Sequence, residues 1–330
     1  MSIINHLKTS PWFYPFRIAL SVKYGVVIWL RNLLYDLKIF KTLKVKTPVI
    51  SVGNISSGGS GKTILVQALL EYFFERNLRP AILSRGYGRS SKGLVVVADG
   101  KAILASISEA GDEPYLIANN FPNATVLVSE DRFKGADYLE KKFSPDVIIL
   151  DDGFQHRRLH RDHDLVIIDF PESPRPHLLP WGNLRESQSN ISRADIILYS
   201  KNGVRPNQEY NLAFDLDNEV YDTTRTAHNI NELKGDFGVF AGIGKPAHFF
   251  SQVEAIHKPS TVKISLPDHA KYSKDQLDMI RENSCEYWIT TQKDFIKLDP
   301  RFCDEHNIYF IMVKTSLPQP VLHHLKQYFN

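Results

Sequence analysis

Apolar positions along this chain follow two rhythms, and their alternation predicts the fold. Short β-branched runs at 47–52 (TPVISV), 81–84, 94–98, 125–128, 146–150 (DVIIL), 165–169 and 195–200 read as buried strands. Between them, TILVQALLEYFFE (63–75) repeats Leu65, Leu69, Tyr72 and Phe73 at helical spacing, and helices are expected around 114–119 and over 132–142. Strand and helix in alternation imply a largely parallel sheet with helices on both faces, with ligands at the carboxyl edge of the strands. The rhythm resumes later, with a strand at 237–240, a tight turn over 241–246, a Ser273-to-Gln276 capping box opening a helix, and a late strand at 309–313. The polar stretch 207–234 reads as a linker or hairpin. The expected division is therefore an N-terminal segment (1–46), a main α/β domain (47–206), the connection, and a smaller C-terminal α/β lobe (235–330).

The first strand-to-helix junction carries chemistry. GNISSGGSGKT (53–63) is close to the phosphate-loop pattern G-x-x-x-x-G-K-[ST], with Ser56 where the first glycine would stand. Backbone N–H groups of Ser57, Gly58, Gly59, Ser60 and Gly61, together with Lys62 and Thr63, can cradle a polyphosphate at a helix N-terminus, with the Thr63 hydroxyl placed for magnesium. A glycine turn without function is the alternative, but its position between strand and helix favours the cradle. The run DVIIL ends in Asp151-Asp152, the arrangement of a Walker B strand. The fold expected is thus a P-loop NTPase-like α/β domain.

Composition narrows the class. A chain of 330 residues with 43% hydrophobic and 23% charged residues is globular, and its net charge of +3, without basic and aromatic clusters, does not support nucleic-acid binding. Two cysteines, Cys285 and Cys303, lack metal-ligand spacing and read as packed thiols in a reducing compartment. Charge distribution says more than its sum. Residues 1–46 mix Trp12, Phe13, Phe16, Val26, Trp29 and Leu30 with Lys8, Arg17, Lys23, Arg31 and four further lysines, against the one acid Asp36. The cations interrupt the apolar run too often for a spanning helix, so an interfacial amphipathic helix is expected; a helix packed on the protein's own core is the alternative.

Three phosphate-loop classes compete. A GTPase needs an N/T-K-x-D motif, and neither SKNG (200–203) nor TQKD (291–294) supplies its order. A deviant-Walker ATPase switch at a membrane needs a lysine where Ser57 stands. A small-molecule kinase needs a general base, cations and an acceptor pocket, for which GDEP (111–114), SRGYGR (84–89) and DDGFQHRR (151–158) offer candidates after strand ends.

These stretches, with LLPWGNLRES (178–187), AGIGKPAHFF (241–250), LPDHAKYS (266–273) and TTQKDFIKL (290–298), closely resemble the tetraacyldisaccharide 4'-kinases, the lipid A 4'-kinases of Gram-negative bacteria. Trp181, Asn183 and Lys245 depart from the residues common there. The family itself lacks the first Walker glycine, so Ser56 agrees with it. The resemblance implies ATP- and magnesium-dependent phosphorylation of the 4'-hydroxyl of a tetraacylated glucosamine disaccharide 1-phosphate at the cytoplasmic face of the inner membrane, by a peripheral protein expected to be monomeric. It also implies two α/β lobes that close around nucleotide and headgroup.

Roles follow from that reading. Lys62 and the loop amides serve the β- and γ-phosphates, and Thr63 with Asp151 serve magnesium, helped by Gln155 or Glu186; Asp152 completes the acidic pair. Asp112 is the expected general base, oriented by His269. Arg85, Arg132 and Arg185 hold the 1-phosphate or transition-state charge, while Tyr87, Glu113 and His156 are expected headgroup contacts.

Overall fold

The computed structural model describes residues 14–169, 177–200 and 210–329. Lys8, Trp12 and Phe13 of the expected N-terminal helix, and the start of the connection at 207–209, lie outside those residues. The chain runs through α1 (Tyr14–Asp36), β1 (Val49–Asn54), α2 (Lys62–Phe74), β2 (Pro80–Ser84), β3 (Val95–Asp99), α3 (Ile107–Ala110), α4 (Asp112–Asn120), β4 (Thr125–Val128), α5 (Arg132–Phe143), β5 (Val147–Asp151), β6 (His163–Asp169), β7 (Ile196–Ser200) and β8 (Asn211–Leu212). It continues through β9 (Asp215–Tyr221), β10 (Ala227–Asn229), β11 (Phe237–Ala241), α6 (Pro246–Ile256), β12 (Val262–Ser265), α7 (Lys274–Arg281), β13 (Tyr287–Thr291), α8 (Gln292–Phe295), α9 (Pro300–Glu305), β14 (Ile308–Lys314) and α10 (Gln319–Tyr328). Sheets with helices on both sides make it an α/β protein.

Two compact units emerge, and neither is continuous in sequence. The first is Met1–Arg85, Ser129–Leu212 and Leu317–Asn330, and the second is Gly86–Val128 with Ala213–Ser316. The contiguous division expected from the sequence differs from this, because the chain leaves the first unit after β2 and returns at Ser129.

In the first unit the strands run in the order β2-β5-β1-β6-β7-β8, all parallel. Every residue of β1 and β5 is buried, which explains why both read as unbroken apolar runs. Helix α2 adds the fully buried Leu65, Val66, Leu69, Leu70 and Phe73, each contributing about 1.5–3 kcal/mol by removal from water. The register sets Val52 of β1 opposite Asp151 of β5 and Leu83 of β2 opposite Leu150. The loop after β1, the acidic pair after β5 and Arg85 after β2 therefore leave one edge of adjacent strands.

The second unit holds a six-stranded sheet in the order β10-β9-β14-β13-β11-β12. Strands β14, β13, β11 and β12 are parallel, whereas β9 joins β14 antiparallel and pairs with β10 as a hairpin. The polar stretch expected as a linker or hairpin thus contributes two strands to this sheet. Strand β3, expected among parallel neighbours, instead pairs antiparallel with β4. Helix α7 opens with the expected capping box, in which Gln276 reaches back 3.0 Å to the Ser273 N–H.

Candidate active site

The loop between β1 and α2 turns without a glycine at position 56. Gly58 and Gly61 take the left-handed conformations, with φ of +127° and +81°, and Ser56 needs no positive φ. Gly53 is required for a different reason: a Cβ there would lie 2.5 Å from Cβ of the buried Phe154. Asn54, fully buried, closes the loop by donating from Nδ2 to Ser60 Oγ at 3.0 Å. The chain then enters α2 through Gly61 with no side-chain cap, leaving the first-turn N–H groups to donate to a ligand's oxygens.

Around this loop the first unit gathers charge. Lys62 Nζ lies 3.5 Å from Asp152 Oδ1, and Arg185 Nη1 reaches both Asp152 oxygens at 2.9 and 2.7 Å. Burial works to raise the Asp152 pKa, but Lys62 and Arg185 outweigh it and hold the carboxyl below its ordinary value. Asp152 itself sits at a φ of +52°, a backbone conformation uncommon for a non-glycine residue. Asp151 is only 3% exposed and accepts from Ser84 Oγ at 3.2 Å.

Arg132, at the start of α5, is buried, and burial together with the neighbouring Arg85 lowers its pKa to about 10. Two guanidiniums near Asp151 and Asp152 make an anion site of this corner. His156 is pushed down to about 4 by burial and by Arg132, so its imidazole is neutral at physiological pH. Arg132 Nε and His156 Nε2 are buried without hydrogen-bond partners among the described residues, which is the state expected of groups that meet a ligand.

Glu186 and Gln155, the two residues expected to help hold magnesium, differ in what their oxygens meet. Glu186 is fully buried, with one oxygen 2.6 Å from Arg193 and 3.3 Å from Asn32 Nδ2, and the other accepting from Gln155 Nε2 at 2.9 Å. Both its oxygens are committed to protein donors, and it works as a structural hub. Gln155 also donates to the Asn54 carbonyl at 2.7 Å, while its own Oε1 is buried and unpartnered among the described residues. Magnesium takes oxygens, commonly one or two carboxylates with phosphates and water. By chemistry, the buried Asp151 carboxylate, the Thr63 hydroxyl and the Gln155 amide oxygen, unpartnered among the described residues, are donors of the kind it takes.

The second unit brings Asp112 and His269, the residues expected as base and orienting group, into contact. His269 Nδ1 lies 3.0 Å from Asp112 Oδ2, and Tyr87, 69% exposed, sets its ring 5.6 Å from that of His269. Two residues not assigned from the sequence complete this site. Lys297 Nζ approaches the same Asp112 oxygen at 2.9 Å and the buried Asp294 at 3.8 Å, and Lys293 pairs with Glu113 at 3.1 Å. Burial works to raise the Asp112 pKa, but His269 and Lys297 lower it to about 2. His269 is held at a φ of +58°, and its N–H donates to the Gly242 carbonyl at 3.1 Å; the Gly242 N–H in turn donates to Asp294 at 2.9 Å. Both lysines stand in TTQKDFIKL, Lys293 inside α8 and Lys297 just past its end, and no local pattern marks either of them as chemistry.

Known proteins resemble this chain along most of its length. The family model described as tetraacyldisaccharide-1-P 4'-kinase matches residues 14–330. The tetraacyldisaccharide 4'-kinase of Aquifex aeolicus is 38% identical over 314 residues, 91% of this chain and 93% of that protein. The one from Chlorobium phaeovibrioides is 36% identical over 327 residues, 91% and 92% of the two chains. Among solved structures, that of the Aquifex aeolicus LpxK in complex with ATP superposes with a TM-score of 0.79 at 35% identity, covering 94% of this chain and 96% of that one.

Proposed function

The chain belongs to the tetraacyldisaccharide-1-P 4'-kinase family, and from that premise we propose that it transfers the γ-phosphoryl group of ATP to the 4'-hydroxyl of a tetraacylated glucosamine disaccharide 1-phosphate. The observation that carries the kinase reading over an ATPase switch is the Asp112–His269–Lys297 cluster, since a switch that only hydrolyses ATP has no need of a dedicated acceptor base.

The first unit supplies the donor chemistry. The amides from Ser57 to Thr63 and the uncapped start of α2 hold the β- and γ-phosphates, and Lys62 moves from Asp152 onto their charge. Thr63, Asp151 and Gln155 would hold magnesium, which would neutralise charge on the transferring group. Arg85, Arg132 and Arg185 steady the phosphates, and the unspent Nε2 of neutral His156 is free for a headgroup hydroxyl.

The second unit supplies the acceptor chemistry. Asp112 receives the hydrogen bond of the 4'-hydroxyl while His269 and Lys297 fix its carboxylate. With a pKa of about 2 it is a weak base but always ionised, which suits a loose transition state in which the hydroxyl proton leaves late.

The protein acts at the cytoplasmic face of the inner membrane as a peripheral monomer, with donor and acceptor chemistry on one chain. Supporting this, α1 leaves Phe16, Val22, Val26 and Trp29 exposed, Trp29 by 63%. The helix is long and apolar enough to cross a bilayer by length and composition, contrary to the expectation from its cations. Its polar contacts with the first unit, from Arg17 at one end to Asp36 at the other, favour lying in the interface. The test offers purified protein MgATP with and without the tetraacylated disaccharide 1-phosphate and locates the new phosphate by NMR. A 4'-phosphorylated product is expected; ATP turnover independent of lipid and without that product would refute the kinase.

A further inference from the structure

Helix α1 has two working faces. Ser21 Oγ donates to the Leu178 carbonyl at 2.8 Å, Tyr24 Oη to the Arg185 carbonyl at 2.7 Å, and Asn32 Nδ2 to Glu186 at 3.3 Å. At 100° per residue these three side chains fall on one stripe, while Val22, Val26 and Trp29 fall on another and are exposed. Gly25 brings the helix close, since a Cβ there would lie 2.8 Å from Leu178 Cδ1. The membrane-facing stripe therefore leaves a second, polar stripe with its own task.

The segment it grips is also the neighbour of the nucleotide loop. The Asn183 carbonyl accepts from both Ser57 N and Ser57 Oγ, at 2.7 and 3.1 Å, and Leu184 bridges Ser56 antiparallel. The Arg185 N–H donates to the Ile55 carbonyl at 2.7 Å, and Glu186 is reached by Gln155, which also holds the Asn54 carbonyl. Four consecutive residues thus flank the loop from Asn54 to Ser57. The backbone of Arg185 is fixed on both sides, by Ile55 through its N–H and by Tyr24 through its carbonyl, and its guanidinium holds the Asp152 carboxylate against which Lys62 rests.

We propose that the N-terminal helix positions the nucleotide loop as well as meeting the membrane, with Tyr24 a positioning residue that acts through Arg185 on Asp152 and Lys62. This rests on the kinase reading for the role of the loop. Loss of the Tyr24 hydroxyl frees one side of the Arg185 backbone, and the guanidinium then samples positions in which Asp152 and Lys62 are no longer set for phosphate.

The experiment uses the full chain carrying Tyr24→Phe, and the pair Ser21→Ala with Tyr24→Phe. MgATP affinity is measured by calorimetry without lipid, melting temperature by scanning, and KM for ATP and for lipid in mixed micelles. Tyr24→Phe is expected to weaken MgATP binding about 3- to 10-fold, the size of one lost hydrogen bond, and to raise KM for ATP alone, while melting temperature, KM for lipid and vesicle retention stay at wild-type values. The double variant is expected to be weaker still. Unchanged MgATP affinity would overturn the proposal, as would a loss that only tracks the melting temperature. Should Tyr24→Phe not fold, Asn32→Ala, which releases Glu186 from the same stripe, is read in the same way. Failure of the kinase reading would show separately, as wild-type protein that binds MgATP without phosphorylating lipid.

Discussion

Lys297 places its ammonium 2.9 Å from the Asp112 oxygen that His269 also touches. A carboxylate shared by an ammonium and an imidazole is fixed in orientation and stays ionised, and both contacts fall on Oδ2, so that Oδ1 belongs to neither. Lys297→Met should lower kcat about 10- to 100-fold, the range of a misplaced general base, with KM for ATP unchanged. It should also move the acid limb of the pH profile upward, because Asp112 loses a cation that keeps its pKa at about 2. The kcat profile of the variant between pH 4 and 9 checks both; a profile identical to wild type would remove Lys297 from the base.

On the donor side, Lys62→Ala should cost about 100- to 1,000-fold in kcat, the scale of losing a charge aimed at the transferring group. Asp151→Asn should instead raise the magnesium concentration needed for half-maximal rate. Chelation should abolish turnover and added magnesium restore it. Titrations of rate against free magnesium separate the two effects.

Gly53→Ala should destabilise the first unit. The new Cβ would meet Phe154 Cβ at 2.5 Å and its backbone nitrogen at 2.9 Å, and the fully buried ring leaves no room to yield. A cost of about 1–3 kcal/mol is expected for such overpacking, visible as a lower denaturation midpoint. A midpoint equal to wild type would mean the loop start relaxes freely.

His156 links stability to pH. Its folded pKa of about 4 lies below the ordinary 6.5, so the unfolded chain takes up the proton first as pH falls. Its contribution is therefore fully present above pH 6.5 and is lost as pH drops towards about 4. His156→Gln should flatten this part of the stability curve, as measured by denaturant unfolding at pH 4.5 and 7.

Several elements were legible in advance for a physical reason. Strands buried on both faces, such as VISVGN and VIILD, carry continuous apolar runs, and a phosphate loop declares itself by its glycines and its Lys-Thr. β9 was not legible as a strand, because DLDNEVY buries only Val220 and offers no apolar alternation. Glu186 looked like a metal ligand by residue type, and only its pairing with Arg193, Asn32 and Gln155 showed it to be committed. Lys297 was invisible as chemistry because it lies 185 positions from Asp112 in the chain, and nothing local marks a lysine that folding carries to a carboxylate.

By itself the sequence determined the α/β class, the phosphate loop with its acidic partner strand, the apolar face of the N-terminal helix and the family resemblance. These depend on local periodicity and on residue order within short motifs. Tertiary structure alone decided that the chain folds as two discontinuous units, that Gly58 and Gly61 turn the loop without a glycine at 56, that Asp112 is held by a lysine as well as a histidine, and that the helix grips the segment beside the loop. The last two are contacts between residues far apart in sequence, set by strand register and packing, which no local pattern encodes.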